Sequence, residues 1–408
     1  MTCVLYFGLV SLYLDHASTT PPLPEAVEAM VEAAREGFAD PSRLYGAARR
    51  ARILLDQART AVAEAISARP EEIVFTASGT ESCNLAVVGG ARAAAAARKP
   101  RRIAVSAVEH TAVLRAARAL EAEGFEVLEL PVSGEGLVDL EALRREAAAG
   151  LGLLSIQTAN HEVGTLQPVA EAAAIAREAG ALVHTDACMT VGRLPTDTAA
   201  LGVDLLSASS HKLYGPKGAG VLWARRGVRV RPMLVGDDRE RGRRAGFENL
   251  PAIAGMAAAL RARTGELAAE AERLRTLDAK LWSRLPEVLD DVAMHGPAEG
   301  RLPGLVAFSV LYVDGEALLL GLDQRGIAVH SGSSCTSSTE EPSHVLAAMR
   351  ALTHGSVRVS MGRDTSEADV DAFLDALVPV VAKARGMASL DAEALARAEA
   401  LARAERER

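Results

Sequence analysis

The chain has 408 residues, of which 49% are hydrophobic and 24% charged, a composition typical of globular proteins that excludes a disordered or fibrous chain. Its 45 basic and 53 acidic residues give a net charge of −8, so we expect no direct nucleic-acid binding. Charged residues or glycines interrupt the apolar stretches well before the ~18 residues that a membrane span needs. We therefore expect a cytoplasmic protein without a membrane segment.

The first 224 residues alternate between short apolar runs and longer segments of helical period. Strands are predicted at 72–76, 102–106, 126–130, 152–156, 181–185, 204–207 and 220–224, and helices near 80–97, 111–123, 139–149 and 168–179. This alternation indicates βαβ units, and hence an α/β fold with a mostly parallel sheet covered on both faces. Ligands of such sheets bind beyond the carboxyl ends of the strands.

The pattern changes after Gly246. One long helix is predicted at about 252–288, further helices near 315–325 and 366–386, and strands near 304–311 and 356–361. We expect a large domain of residues 16–250, a smaller α+β domain of 1–15 and 251–387, and a tail of 388–408 that is helical or disordered.

The four cysteines, Cys3, Cys83, Cys188 and Cys335, are far apart, and no CxxC pair occurs. This spacing argues against a disulfide scaffold and against a zinc site, so we expect reduced thiols. Cys335 lies in a segment, 330–338, in which seven of nine residues are Ser, Thr or Gly, as in an exposed loop. It is either a reactive thiol or an incidental loop cysteine.

Signatures of nucleotide hydrolysis, zinc proteolysis and α/β-hydrolase chemistry are absent from the sequence. A lysine remains in an unusual setting: Lys212 follows a predicted strand, precedes a Gly-rich turn, and is flanked by Ser209 and His211. Lysine forms Schiff bases with aldehydes such as pyridoxal phosphate, and the two neighbours suit a phosphate. The alternative is a surface turn lysine.

Three further segments suit the same chemistry. Asp186 ends an apolar strand, where it is either a partner for a pyridinium nitrogen or a helix cap. Gly79 and Thr80 join a strand to a helix, where main-chain N–H groups attract phosphate or a capping box forms. Arg358 lies within a strand and needs a carboxylate, from a substrate or from a structural ion pair.

Together these segments resemble the cysteine desulfurases of the NifS/IscS type, which belong to the class V aminotransferases. The resemblance extends from about Tyr13 to Arg363 and is carried by segments 13–21, 76–84, 108–113, 159–164, 184–192, 209–218, 240–242, 331–338 and 357–362. It implies the pyridoxal-phosphate-transferase type I (aspartate-aminotransferase-like) fold. That fold has a large domain with a mostly parallel seven-stranded sheet and a smaller α+β C-terminal domain.

The resemblance also implies roles for individual residues. Lys212 resembles the lysine that holds pyridoxal 5'-phosphate covalently, Asp186 the partner of its ring nitrogen, and His110 the imidazole stacked on its ring. Cys335 resembles the nucleophile that accepts sulfur. The remaining matches imply phosphate binding by Gly79, Thr80, Ser209 and His211, contact with cofactor and substrate by Asn160, and a substrate-carboxylate clamp by Arg358.

The implied activity converts L-cysteine to L-alanine and leaves a persulfide on Cys335. The sulfur then passes to an acceptor, such as an iron–sulfur scaffold protein or a tRNA-thiolation pathway. A homodimer is implied as well. The alternatives are a selenocysteine lyase or another enzyme of the same fold, and a weakly active scaffold for sulfur-transfer partners.

The sequence departs from the family pattern at segments 40–45 and 236–239 and at two single positions, Met189 and Phe247. Members usually have a glutamine at the position of Met189, where it donates a hydrogen bond to the cofactor hydroxyl, and methionine cannot donate one. They usually have a threonine at the position of Phe247, where it reaches the phosphate of the neighbouring subunit. We therefore hypothesise that the cofactor binds less tightly here than is usual for the family.

Overall fold

The computed structural model describes residues 12–331 and 342–406, with side chains as far as residue 386. The strands are β1 (Leu12–Tyr13), β2 (Ile73–Thr76), β3 (Arg102–Ser106), β4 (Glu126–Leu130), β5 (Leu153–Ser155), β6 (Leu182–Asp186), β7 (Leu205–Ser209), β8 (Gly220–Ala224), β9 (Val292–His295), β10 (Leu305–Val310), β11 (Ile327–Ala328) and β12 (Ser356–Ser360). The α-helices are α1 (Pro24–Glu36), α2 (Gly46–Ala65), α3 (Gly79–Asn84), α4 (Gly90–Ala96), α5 (Thr111–Ala119), α6 (Leu140–Ala148), α7 (Val169–Glu178), α8 (Thr198–Leu201), α9 (Leu250–Arg263), α10 (Leu267–Val288), α11 (Gly315–Asp323), α12 (His344–Ala348) and α13 (Glu367–Arg406).

Seven strands form one sheet in the order β2-β8-β7-β6-β5-β3-β4. β8 pairs antiparallel with both of its neighbours, and the other neighbouring pairs are parallel. The prediction of a mostly parallel seven-stranded sheet is thereby confirmed. For each strand of this sheet, the predicted first and last residues lie within two residues of the observed ones.

The sheet separates two apolar cores, as the period-2 alternation of strand side chains requires. In β7, Leu205 packs into the core that includes the α3 and α5 helices, whereas Leu206 packs into the core on the opposite face. The second of these cores contains Leu55 of α2 and Ile253 of α9. Both faces are therefore covered, which leaves the strand ends as the place for a ligand.

A third core lies around the antiparallel sheet β12-β10-β9 and the parallel pair β1-β11. Phe308, Leu281 and Phe373 are completely buried in it. The predicted single helix at 252–288 is wrong, because the helix is interrupted between Arg263 and Leu267, where Gly265 lies. Since α9 packs into the core of the large sheet, we propose that the smaller domain begins at α10 rather than at residue 251.

The end of the chain continues as helix α13 to Arg406. Within the ranges that the structure describes, none of the helices combines the length and apolar character needed to cross a bilayer.

Candidate active site

The carboxyl ends of β6 and β7 open into a cavity of about 530 Å³. This is the position at which parallel sheets bind ligands. Eight of the predicted site residues line it: Gly79, Thr80, His110, Asp186, Ser209, His211, Lys212 and Arg358. The fold thus brings together residues that lie far apart in the sequence, and it does so at the edge that the strand order predicts.

Lys212 lies on the short helical turn that follows β7 and lines the cavity. Its Nζ is 3.5 Å from Sδ of Met189, a buried residue. Burial lowers the pKa of Lys212, because the charged form loses hydration that the cavity wall does not replace. A lowered pKa increases the neutral amine, which is the form that attacks an aldehyde.

Asp186 ends β6 at the floor of the cavity and is 8% exposed. Burial opposes ionisation, but the main-chain N–H of Cys188 donates to its Oδ1 at 2.9 Å. The hydrogen bonds that Cys188 donates outweigh this effect, so the pKa of Asp186 is lowered. The floor of the cavity therefore carries a fixed negative charge.

His110 caps the N-terminus of α5, where its Nδ1 accepts a hydrogen bond of 3.0 Å from the N–H of Ala112. This contact places the ring proton of the neutral imidazole on Nε2. Burial, together with the nearby His161 and Lys212, lowers the pKa of His110 to about 3. His110 is therefore a neutral ring at physiological pH, with its tautomer set by the helix.

Beside Lys212, a set of polar groups converges at the start of α3. Ser78 caps this helix by accepting the N–H of Glu81 at 3.1 Å, and Gly79 N–H lies 3.4 Å from Ser209 Oγ. A Cβ at position 79 would lie 2.6 Å from Cys188 Sγ, so the close approach requires glycine. Nδ1 of His211 is buried without a hydrogen-bond partner. The main-chain N–H of Gly79, the hydroxyl of Ser209 and the unpartnered Nδ1 of His211 together fit a phosphate group.

Arg358 reaches the cavity from β12 and is 4% exposed. Its Nη2 lies 2.7 Å from Asp15 Oδ1 and 2.7 Å from Ser18 Oγ, while Nη1 donates to the carbonyl of His161 at 2.8 Å. Nε is buried and unpartnered. Arg358 therefore forms a structural ion pair and also lines the cavity, while its contact with a substrate carboxylate stays a prediction.

The other two predicted residues lie differently. Asn160 is fully buried and its amide bonds to main-chain groups: Oδ1 accepts the N–H of Glu162 and Val163, and Nδ2 donates to the carbonyl of Val108. It shapes the loop and is not among the residues that line the cavity. Cys335 lies outside the described residues.

The structure adds cavity residues to which the sequence analysis gave no role. The ring of His161 is 5.0 Å from that of His110, in a T-shaped arrangement, and 6.4 Å from that of His344. Burial lowers the pKa of His161 well below its usual value. His161 stands beside Asn160 in a segment that carries the family resemblance, and its place in that segment is the signal that could have identified it.

Comparison with known proteins gives a consistent result. A family model described as aminotransferase class-V matches residues 12–373. Cysteine desulfurase IscS of Dictyoglomus turgidum is 42% identical over 377 residues, which cover 92% of this chain and 95% of the relative. Cysteine desulfurase IscS 1 of Archaeoglobus fulgidus is 39% identical over 93% of this chain and 99% of the relative.

Solved structures agree in fold. A NifS-like protein superposes with a TM-score of 0.84 at 33% identity, covering 91% of this chain and 99% of that one. A structure described as SspA in complex with cysteine gives a TM-score of 0.74 at 27% identity, over 86% of this chain and 99% of that one.

The seven-stranded sheet is that of the pyridoxal-phosphate-transferase type I fold, as predicted. The chain belongs to the class-V aminotransferase family. The resemblance to NifS/IscS-type cysteine desulfurases is confirmed by the relatives it matches over more than nine tenths of its length.

Proposed function

We propose that this chain is a pyridoxal-phosphate-dependent cysteine desulfurase that converts L-cysteine to L-alanine and holds the sulfur as a persulfide on Cys335. The observation that carries the proposal is that Lys212 and Asp186, from the ends of neighbouring strands, face one cavity. An amine of lowered pKa and an ionised carboxylate are the two groups that such a cofactor needs from its protein.

The described residues fit the cofactor. Asp186 would pair with its ring nitrogen, and His110 offers a neutral ring in the same cavity. Gly79, Thr80 and Ser209 would hold its phosphate, together with His211, whose Nδ1 lacks a partner in the protein. When bound, pyridoxal phosphate supplies an aldehyde and an electron-withdrawing ring.

The remaining residues act on the amino acid. Arg358, which lines the cavity, would bind its carboxylate, while Asp15 keeps the guanidinium in place. Neutral Lys212 Nζ takes the proton from Cα. His110 Nε2 is a second group able to hold or return a proton.

Cys335 completes the sulfur transfer. Its thiolate attacks the sulfur of the substrate, so that a sulfur–sulfur bond forms as the carbon–sulfur bond breaks. Cβ then takes a proton, and L-alanine leaves. The net change is L-cysteine plus a thiol giving L-alanine plus a persulfide, and an acceptor such as an iron–sulfur scaffold protein removes the outer sulfur.

We further propose that the chain works as a homodimer. Several large apolar side chains on two neighbouring segments are exposed: Phe38 (77%), Leu44 (89%), Val235 (86%) and Phe247 (66%). The segments are joined by the ion pair Arg239–Asp40, at 2.8 Å, and Phe247 packs on the Arg239 guanidinium. An exposed apolar area of this kind marks a protein interface. Leu44→Glu is expected to shift the protein towards a monomer in analytical ultracentrifugation.

Alanine formation from L-cysteine, with and without a thiol reductant, tests the proposed activity. The parent protein is expected to turn over only with reductant, which releases the persulfide sulfur. Cys335→Ala is expected to abolish turnover, and Cys3→Ala, at a cysteine without an assigned role, serves as the control.

Two outcomes would overturn the desulfurase assignment. Retained alanine formation in Cys335→Ala, or activity on selenocysteine alone, would favour a selenocysteine lyase. A parent protein that binds the cofactor yet releases no alanine from either substrate would favour a scaffold for sulfur-transfer partners.

A further inference from the structure

Two free cysteines and a carboxylate converge at the floor of the cavity. Sγ of Cys83, Sγ of Cys188 and a carboxylate oxygen of Asp186 all lie within 4.8 Å of one another. Cys83 is 1% exposed and Cys188 8% exposed, and neither is in a disulfide. Cys83 comes from α3, whereas Asp186 and Cys188 come from the end of β6 and the turn after it. Their sequence spacing therefore gave no sign of the cluster.

The cluster is held in place and open on one side. The N–H of Cys188 fixes Oδ1 of Asp186 at 2.9 Å, and the missing side chain of Gly79 leaves the space that Cys188 Sγ occupies. All three cluster residues line the same cavity of about 530 Å³. A ligand that enters the cavity therefore reaches both sulfurs and the carboxylate.

This donor set has the chemistry of a zinc site with an open position. Zn–S bonds of about 2.3 Å and Zn–O bonds of about 2.0–2.2 Å place the donors of one tetrahedral ion roughly 3.5–3.8 Å apart. The observed limit of 4.8 Å needs only a small inward movement of the side chains. Thiolate donors select Zn²⁺ and similar soft cations over Mg²⁺ or Ca²⁺, which prefer all-oxygen sites.

We propose that Cys83, Asp186 and Cys188 bind a thiophilic divalent cation such as Zn²⁺ in the cofactor-free protein, with water from the cavity as the fourth ligand. Binding displaces one proton from each thiol, so two protons are released for each cation bound. The cation neutralises two thiolates and a carboxylate that face one another in a buried place.

A consequence follows that rests on the proposed function. Asp186 is the carboxylate that we assign to the ring nitrogen of pyridoxal phosphate. A cation on Asp186 removes that partner and occupies the floor of the cavity. Cation and cofactor therefore exclude one another, and a thiophilic cation holds the protein in its cofactor-free form.

Cd²⁺ titration tests the site directly, because cadmium replaces zinc in thiolate sites and its sulfur-to-metal charge transfer absorbs in the ultraviolet. The sequence has four cysteines, so a Cys3→Ser/Cys335→Ser background leaves Cys83 and Cys188 as the only thiols. We expect this full-length protein, stripped of cofactor, to bind one Cd²⁺ per chain with a charge-transfer band. Cys83→Ala and Cys188→Ala in that background are expected to weaken binding by at least about 100-fold, since loss of even an outer partner costs 10–100-fold.

Thermal midpoints and circular dichroism check that the variants fold. If one alanine variant does not fold, the other alone is sufficient to test the site. Absence of the band in the background protein, or an unchanged band in a folded alanine variant, would overturn the cation site. Because this readout needs no enzymatic activity, its result does not depend on whether the proposed function is correct.

A second titration tests the exclusion. Protein loaded with pyridoxal phosphate is expected to show no band until the cofactor is removed, and Zn²⁺ is expected to slow cofactor loading of the stripped protein. A band of full strength with the cofactor still bound would overturn the exclusion while leaving the cation site intact.

Discussion

Lys212 Nζ lies 3.5 Å from Met189 Sδ, so the proposed cofactor-binding amine faces a thioether at the position where the family resemblance implies an amide. A thioether sulfur is a weak acceptor and donates no hydrogen bond. Because Met189 is buried, 4% exposed, water does not easily supply the missing donor.

Met189→Gln is expected to bind pyridoxal phosphate more tightly than the parent. One added hydrogen bond is worth about 0.5–1.5 kcal/mol, or roughly a 2- to 12-fold lower dissociation constant. Absorbance titration of the cofactor-free protein measures it. Met189→Leu, which removes the sulfur without adding a donor, is the matched control. Equal affinity in the Gln and Leu variants would contradict the prediction.

Arg358→Lys is expected to raise KM for L-cysteine by about tenfold or more, with a smaller change in kcat. The lysine cannot reproduce the planar fork that bonds Asp15, Ser18 and the carbonyl of His161 while facing the cavity. Arg118→Lys is the control, because Arg118 also lines the cavity but is about half exposed. If Arg358 is purely structural, the thermal midpoint will fall while KM stays unchanged.

Glu240→Gln is expected to destabilise the fold strongly. Both oxygens of Glu240 bond the Arg59 guanidinium, at 2.5 and 2.8 Å, and Oε2 also accepts the N–H of Phe75. Gln leaves the buried Arg59 charge without its partner, which costs about 3–5 kcal/mol. Differential scanning calorimetry should show a clearly lower midpoint. Glu129→Gln, from an exposed pair with Arg118, should leave the midpoint nearly unchanged.

Asp278→Asn is expected to stabilise the protein at pH 8 but not at pH 4.5. Burial raises the pKa of Asp278 to about 7, despite the Gly304 N–H at 2.8 Å, whereas an unfolded aspartate ionises near about 4. The parent therefore loses stability as pH rises from about 4 to 7, by up to roughly 4 kcal/mol. The Asn variant does not ionise at this position and therefore does not lose this stability as pH rises.

Thermal midpoints from pH 4.5 to 8 measure this difference. It should widen between pH 4.5 and 7 and then stay constant. Asp375→Asn, at an exposed position of α13, should follow the parent throughout. A constant difference between Asp278→Asn and the parent at every pH would contradict the assignment.

Local sequence pattern was sufficient for the large sheet, because each buried strand is a short apolar run bounded by polar turns. It was insufficient at 252–288, where α9 and α10 share one helical composition and only Thr264–Glu266 separate them. Helices α1 and α2 escaped prediction as well. Their sequences are rich in alanine and charged residues and have few large apolar side chains, and both helices pack against α9.

The sequence predicted those parts of the site that lie at the ends of neighbouring strands. Asp186 and Ser209 end neighbouring parallel strands, so their meeting follows from strand order. The partner of Arg358 did not follow, because Asp15 is 343 residues away and pairs with it through the third core. The Cys83–Cys188 contact likewise depends on how α3 packs on the sheet.

The pairing of β1 with β11, and of Asp15 with Arg358, has a consequence for synthesis on the ribosome. The large sheet is complete once residue 224 has emerged, whereas Asp15 waits for Arg358, 343 residues further along the chain. At about 5–20 residues per second, that wait is roughly 17–70 s. Asp15 stays without its arginine partner during that time, and the proposed carboxylate clamp is assembled among the last parts of the chain.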